Sequence, residues 1–250
     1  MKIPALKGII QRRMLINFRA SPEVVQTLLP PPFRPQLHSG YAIVGICLIR
    51  LERLRTAGLP RVFGLSSESA AHRFAVEWID GVGERRQGVY IPRRDTDSWL
   101  NCTLGGRLFP GIHHRADFRA FDEGGDIDFR MRSRDGLVSV QLRARQCDAF
   151  PSESCFRSLE ESSSFFQAGS LGYSATSQAG RYDGLRLVTP VWQVRPLRVD
   201  EVASSYFSDS TRFPTGSIQF DHALLMRNVS HSWLAAPTVE CACSGEPQTL

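Results

Sequence analysis

Lysine is almost missing from this chain. Only Lys2 and Lys7 occur among 250 residues, against 28 arginines, so no segment beyond residue 7 carries an amine. The net charge of +5 is therefore carried by guanidinium groups, and these are spread along the sequence rather than gathered in one run. A scattered distribution disfavours a nucleic-acid partner, which takes a basic stripe or patch. Guanidinium forks suit a small anionic organic molecule better, because they match carboxylate and phosphate geometry.

Long apolar runs are also missing. Nothing approaches the ~20 residues that a spanning helix needs, and the opening MKIPALKGIIQRRMLINF lacks the continuous apolar stretch and small-residue cleavage site of an export signal. The expectation is a cytoplasmic protein with no membrane contact. The six cysteines have no framework spacing, which fits a reducing compartment. Cys241 and Cys243 lack a second pair to complete a zinc site. There is no G-x-S-x-G elbow, no P-loop and no H-E-x-x-H, and Gly81-Val82-Gly83 lacks the third glycine of a dinucleotide fingerprint. Neither a cofactor nor a metal is expected.

What is present reads as a mainly β protein with a few covering helices. With 42% hydrophobic and 22% charged residues the composition is that of an ordinary globular chain. Neither a repeat nor a composition break divides it, so a single domain over residues 1–250 is expected, with an N-terminal lead at 1–14 and a loose tail at 236–250. Ser21-Pro22-Glu23 opens a short helix with a capping serine, proline at the first helical position and an acid in the first turn; Pro30, Pro31 and Pro32 stop it. Tyr41 to Leu51 is apolar on both parities, as in a strand covered on both faces. Residues 71–79 alternate, with His72, Phe74, Val76 and Trp78 on one face and Arg73, Ala75, Glu77 and Ile79 on the other. After the glycine turn, Gly88 to Pro92 supplies the partner strand. Asp95 then caps a helix through Leu108, a three-strand meander runs from His113 to Arg145, and Ser158 with Glu161 begins another helix ending near Gly169. A strand from Leu185 to Leu197, a short helix over Asp200 to Phe207 and two closing strands complete the chain. The long apolar strands and the Pro190 region leave room for a homo-oligomer edge.

Candidate site residues concentrate between Glu68 and Arg115. Arg73 and Glu77 share a strand face about 13 Å apart at ~3.3 Å per residue; each faces either solvent, in a structural ion pair, or a cavity, with Arg73 holding an anionic group and Glu77 acting as acid or base. Arg93 and Arg94 precede the expected helix start, where free backbone donors favour an anion, although Asp95 and Asp97 offer them structural partners. Arg107, one turn after Thr103, points to the same pocket, and Tyr90 is placed to stack on a ligand or to fill core. His113 and His114 face opposite ways on a strand and do not readily share one metal ion; either is a candidate proton carrier near neutral pH. His72, on the apolar face, reads as a hydrogen-bonded core histidine.

The strings AHRFAVEW, GVYIPRRDT and GGRLFPGIHH, with FDHALLMRNVSHSWL at 220–234, resemble the YqjF-like branch of the acetoacetate-decarboxylase-like superfamily. That resemblance spans most of the chain and implies a cone-shaped, mostly antiparallel β-barrel enclosing a cavity. The superfamily's best-known reaction decarboxylates a β-keto acid through a Schiff base on an activated lysine. Arginine, always protonated, cannot replace that amine, so a Schiff-base decarboxylase is not expected. What the resemblance leaves is a cavity for small carboxylates, with either a lysine-independent lyase or hydratase step or binding without chemistry.

Overall fold

The structure, a computed structural model, describes residues 5–58, 60, 62, 64–104 and 110–241. In chain order the elements are β1 (Leu6–Ala20), α1 (Pro22–Leu28), β2 (Arg34–Pro35), β3 (Leu37–His38), β4 (Tyr41–Thr56), β5 (Leu65–Ile79), β6 (Arg85–Thr96), α2 (Trp99–Leu104), β7 (His113–Glu123), β8 (Asp126–Ser133), β9 (Ser139–Gln146), α3 (Leu159–Ala168), β10 (Leu171–Ala175), β11 (Arg181–Val188), β12 (Arg195–Ser204) and β13 (Ile218–Glu240). The caps stand where serine chemistry puts them. Ser21 Oγ accepts the Val24 amide at the start of α1. Ser158 Oγ accepts the Glu161 amide at 3.2 Å, while Glu161 reaches back to the Arg157 amide at 2.6 Å. In each case a side-chain oxygen takes up a donor the first helical turn leaves open.

Strand pairing closes on itself twice. β13, β1, β4, β5 and β6 form a five-strand antiparallel wall. From its two edges β7, β8, β9 and β12 complete a nine-strand ring, joining β6 in parallel and β13 antiparallel. β10 and β11 complete a second ring of seven strands from the same two edges. The two closures lie on opposite faces of the wall, as side-chain parity shows. One face carries Met14, Ile16, Val44, Ile46 and Phe74 into a core with Phe129, Met131 and Leu142 of the meander. The other carries Leu15, Ile43, Ile49 and Ala75 toward α3 and the Phe156 loop. The larger ring is filled, and the smaller one holds the cavity described below. This is the mainly β arrangement expected, with two parallel joints in an otherwise antiparallel ladder.

Several expected boundaries move for physical reasons. The presumptive lead is strand from Leu6 onward, because apolar residues on both parities of Ile9–Phe18 are covered by both sheet faces. Lys7 thus sits on β1, exposed. Asp95 caps nothing: it extends β6, fully buried against Arg93, and the short α2 begins after Ser98, whose Oγ accepts the Asn101 amide. The segment expected as a helix at Asp200–Phe207 continues β12 to Ser204, paired to β9. The two closing strands are one, β13, bent at Asn228, whose φ of 53° interrupts the pleat without ending it. That strand also takes residues 236–240 from the expected tail.

Candidate functional site

A cavity of about 150 Å³ opens inside the seven-strand ring, and each of the seven strands contributes to its wall. Its apolar part includes Ile49, Leu51, Ile91, Leu185, Leu187 and Trp233. Its polar part is dominated by Arg13, Arg73 and Arg94, with Cys47, Asn101 and His113. Strand register explains how residues so far apart in sequence meet. Leu15, Cys47, Ala71 and Arg94 form one row across β1, β4, β5 and β6, and His113 of β7 continues it. Arg13 stands one same-face step along β1 from that row, and Arg73 one step along β5. Cys47 is therefore central to the three guanidinium groups.

None of these arginines is neutralised. Arg13 Nε donates to Cys47 Sγ at 3.3 Å, Arg94 Nε donates to Ser174 Oγ at 3.2 Å, and Arg73 Nη2 donates to Asn17 Oδ1. Among the described residues no carboxylate pairs with any of the three. Arg13 Nη1 and Arg73 Nε are buried without a partner. Arg73 is only 4% exposed and lies over the Phe166 ring at 4.7 Å. Burial brings Arg73 and Arg94 down to about 10, which still leaves both charged at neutral pH. The one carboxylate among the lining residues, Asp95, is held by Arg93 at 2.8 Å. Burial, reinforced by Arg94, lowers His113 to about 3, so its imidazole is neutral; its Nδ1 lies 3.2 Å from the Gly111 carbonyl.

Behind Arg73 lies a buried polar chain. Asn17 Nδ2 is 3.0 Å from His222 Nε2, Ser162 Oγ is 2.7 Å from the same nitrogen, and His222 Nδ1 is 2.6 Å from Asp221 Oδ2. Ser154 Oγ donates to Asp221 Oδ2 at 2.6 Å, and the Cys155 amide donates to Oδ1 at 2.9 Å. Burial alone would raise the Asp221 carboxyl, but its hydrogen bonds hold it at about 2. His222 is shifted downward by burial despite its acidic neighbour.

Of the residues singled out in the sequence, the structure brings Arg73, Arg94 and His113 together. Glu77 is elsewhere: it follows Arg73 by four residues on the same strand face, toward the far end of β5, and pairs with Arg85 at 3.6 Å. Arg93 turns away from the cavity into ion pairs with Asp95 and Asp135, both at 2.8 Å, and His114 lies 3.2 Å from the same Asp135. Tyr90 packs in the core against Phe33 and Tyr182. His72 is in the core as expected but not hydrogen-bonded: neither ring nitrogen has a partner, and the ring lies tilted against Tyr206 at 4.6 Å between centroids. Arg107 lies outside the described residues. Arg13, Cys47 and Asn17 carry no local motif. The apolar MLINF that follows QRR was the available signal that Arg13 sits on a strand.

The DUF2071 family, described as an uncharacterized conserved protein, matches residues 10–227. No curated protein sequence matches the chain. Solved structures share the fold. The acetoacetate decarboxylase of Legionella pneumophila aligns with a TM-score of 0.58 at 12% identity, over 94% of this chain and 88% of that one. An acetoacetate decarboxylase-like enzyme of Sphingomonas wittichii RW1 aligns at 0.59 and 11%, over 96% and 94%. The enduracididine biosynthesis enzyme MppR, complexed with pyruvate, aligns at 0.56 and 9%, over 96% and 91%.

Proposed function

The chain belongs to the DUF2071 family, and from that premise we propose that its cavity binds a small organic carboxylate. The observation that carries this reading is the set of three guanidinium groups, Arg13, Arg73 and Arg94, facing one cavity with no carboxylate partner. Arg73 is buried and Arg13 and Arg94 are half-buried; cations withdrawn from water without a counter-charge are costly, and an anionic ligand removes that cost. The leucines, isoleucines and Trp233 of the wall give the ligand's carbon skeleton an apolar surface to cover. That a protein of the same fold is described in complex with pyruvate supports the same ligand chemistry.

Binding without turnover is the reading the geometry favours. The cavity offers three cations and a neutral imidazole, but no amine and no free carboxyl among its described residues; Lys7 lines a separate surface groove with Arg53 and His231. A lysine-independent lyase or hydratase step is the second reading, and His113 favours it, since a neutral imidazole beside a bound carboxylate is placed to accept a proton. Thermal-shift measurements with pyruvate, acetoacetate and longer monocarboxylates, each against its methyl ester, test the proposal. The acids raise the melting temperature, with about 2.7 kcal/mol of stabilisation at a hundredfold excess over Kd, and the esters do not. Arg73→Gln and Arg94→Gln abolish the difference. Equal shifts from acid and ester would remove the basis for an anion site.

A further inference from the structure

Arg73 has an unusual acceptor. A buried guanidinium is ordinarily matched with a carboxylate, yet here a neutral amide, Asn17, takes its Nη2 proton, and the nearest carboxylate in that direction, Asp221, stands two residues further back. We propose that Asn17, oriented by His222 and Asp221, is a positioning residue that fixes Arg73 in the cavity while leaving its charge for the ligand. The inference rests on the carboxylate-binding reading above and assigns how that site keeps its affinity.

The orientation of Asn17 follows from its neighbours. Its Nδ2 is 3.2 Å from the Leu15 carbonyl and 3.0 Å from His222 Nε2. A carbonyl accepts and cannot donate, so the amide nitrogen must face it, and Oδ1 must face Arg73. That in turn makes His222 Nε2 an acceptor and places the ring proton on Nδ1, where Asp221 Oδ2 receives it at 2.6 Å. The ring is thus neutral, and Ser162 Oγ of α3 lies 2.7 Å from the same Nε2. Around the ring stand Asp221 and Asn17, the hydroxyls of Ser154 and Ser162, and the faces of Phe150, Phe156 and Phe166. Arg73 and His38 act on it through space and disfavour a charged ring. The negative charge needed to hold this chain in register is kept at Asp221, where Arg19, Ser154 and the Cys155 amide satisfy it. Gly45 makes the last link possible: it lies between Asn17 and Arg73 in the register, and a Cβ there would stand 3.3 Å from Asn17 Oδ1.

Cys47 supplies a readout that needs no knowledge of the ligand. Iodoacetate and iodoacetamide form the same thioether bond with loss of iodide, the thiol proton passing to solvent, but only iodoacetate is an anion. The ratio of their rates at Cys47, followed by peptide mass spectrometry and divided by the ratio for glutathione, reads the field of the three arginines. The wild-type ratio is expected to exceed one by tenfold or more. Asn17→Asp, which gives Arg73 a carboxylate of equal size, should lower it at least fivefold; His222→Phe, which leaves Asn17 unsupported, should lower it less. A high wild-type ratio unchanged by Asn17→Asp would overturn the positioning role and leave the carboxylate site standing, whereas a wild-type ratio equal to that of glutathione would defeat the site itself. Should the variants not fold, the wild-type His222 ring nitrogens decide by NMR: a neutral ring protonated at Nδ1 at pH 7 supports the inference, and a doubly protonated ring overturns it.

Discussion

His72 shows how a single buried residue ties stability to pH. It is fully buried, neither ring nitrogen has a hydrogen-bond partner, and burial, with Arg93 and Arg212 adding repulsion, lowers it to about 3. In the unfolded chain the same imidazole titrates near its ordinary ~6.5. As pH falls below that value the unfolded state takes up a proton that the folded state refuses. The stability is therefore whole above pH ~6.5 and declines from there toward pH 3, by up to about 1.4 kcal/mol per pH unit for one such group. His113 and His231, at about 3 and about 4, add in the same direction. Urea unfolding between pH 7.5 and 5 should thus show a steep loss of stability, and His72→Phe should flatten it by roughly a third while leaving stability at pH 7.5 within about 1 kcal/mol of wild type, because it removes two unpaired polar atoms and retains the ring against Tyr206. An unaltered slope in that variant would mean that the titration lies elsewhere.

Among the elements, β4 sets the geometry of the site, through a residue with no side chain. A Cβ at Gly45 would lie 2.3 Å from the Ile16 carbonyl oxygen, so β1 and β4 approach as closely as they do only because position 45 is glycine. Gly45→Ala forces that pair apart and should cost about 1–3 kcal/mol. It also widens the gap that Asn17 spans to Arg73, so carboxylate-induced thermal shifts should fall even under conditions where the variant is fully folded; full retention of those shifts would separate the strand spacing from the site. Much at this scale was legible beforehand. Period-two alternation marked β5 and placed Arg73 on the face opposite the Phe74 core, and serine with glutamate three residues on marked α3. What was not legible depended on pairing between distant strands. Asn17 and Arg73 are 56 residues apart, and nothing in the neighbourhood of either predicts the other. Glu77 misled because an alternation pattern assigns a face but not a position along the strand: Arg73 lies where the ring holds a cavity, Glu77 where β5 runs out beside Arg85. Asp95 misled because an aspartate ahead of a helical pattern has the same local signature whether it caps the helix or pairs with a buried arginine in the preceding strand.

For the whole molecule, the shared wall links the two rings mechanically. β13, β1, β4, β5 and β6 belong to both, so a strand lost from this wall is lost to both rings at once. One end of the wall is tied by a charge network: Arg12, 2% exposed, bonds Glu68 at 2.9 Å and Asp122 at 3.3 Å, and Arg227 bonds Asp122 at 2.6 Å, joining β1, β5, β7 and β13. Arg50 of β4 adds a contact to Glu68 at 3.3 Å. Removing Glu68 leaves the buried Arg12 only its longer contact to Asp122, which is far costlier than losing an exposed pair. Glu68→Gln is therefore expected to destabilise the protein by about 3–5 kcal/mol. Because the network reaches strands of both rings, the whole molecule should respond at once. Tryptophan emission reports both faces of the wall, with Trp78 in the filled core and Trp192 and Trp233 on the cavity side, while far-ultraviolet circular dichroism reports the strands throughout. In urea the two signals should follow one coincident transition in the wild type, and in Glu68→Gln that transition should move to lower denaturant without splitting. Separate midpoints would show that the cavity ring unfolds apart from the filled one, and the single cooperative unit inferred from the shared strands would have to be given up.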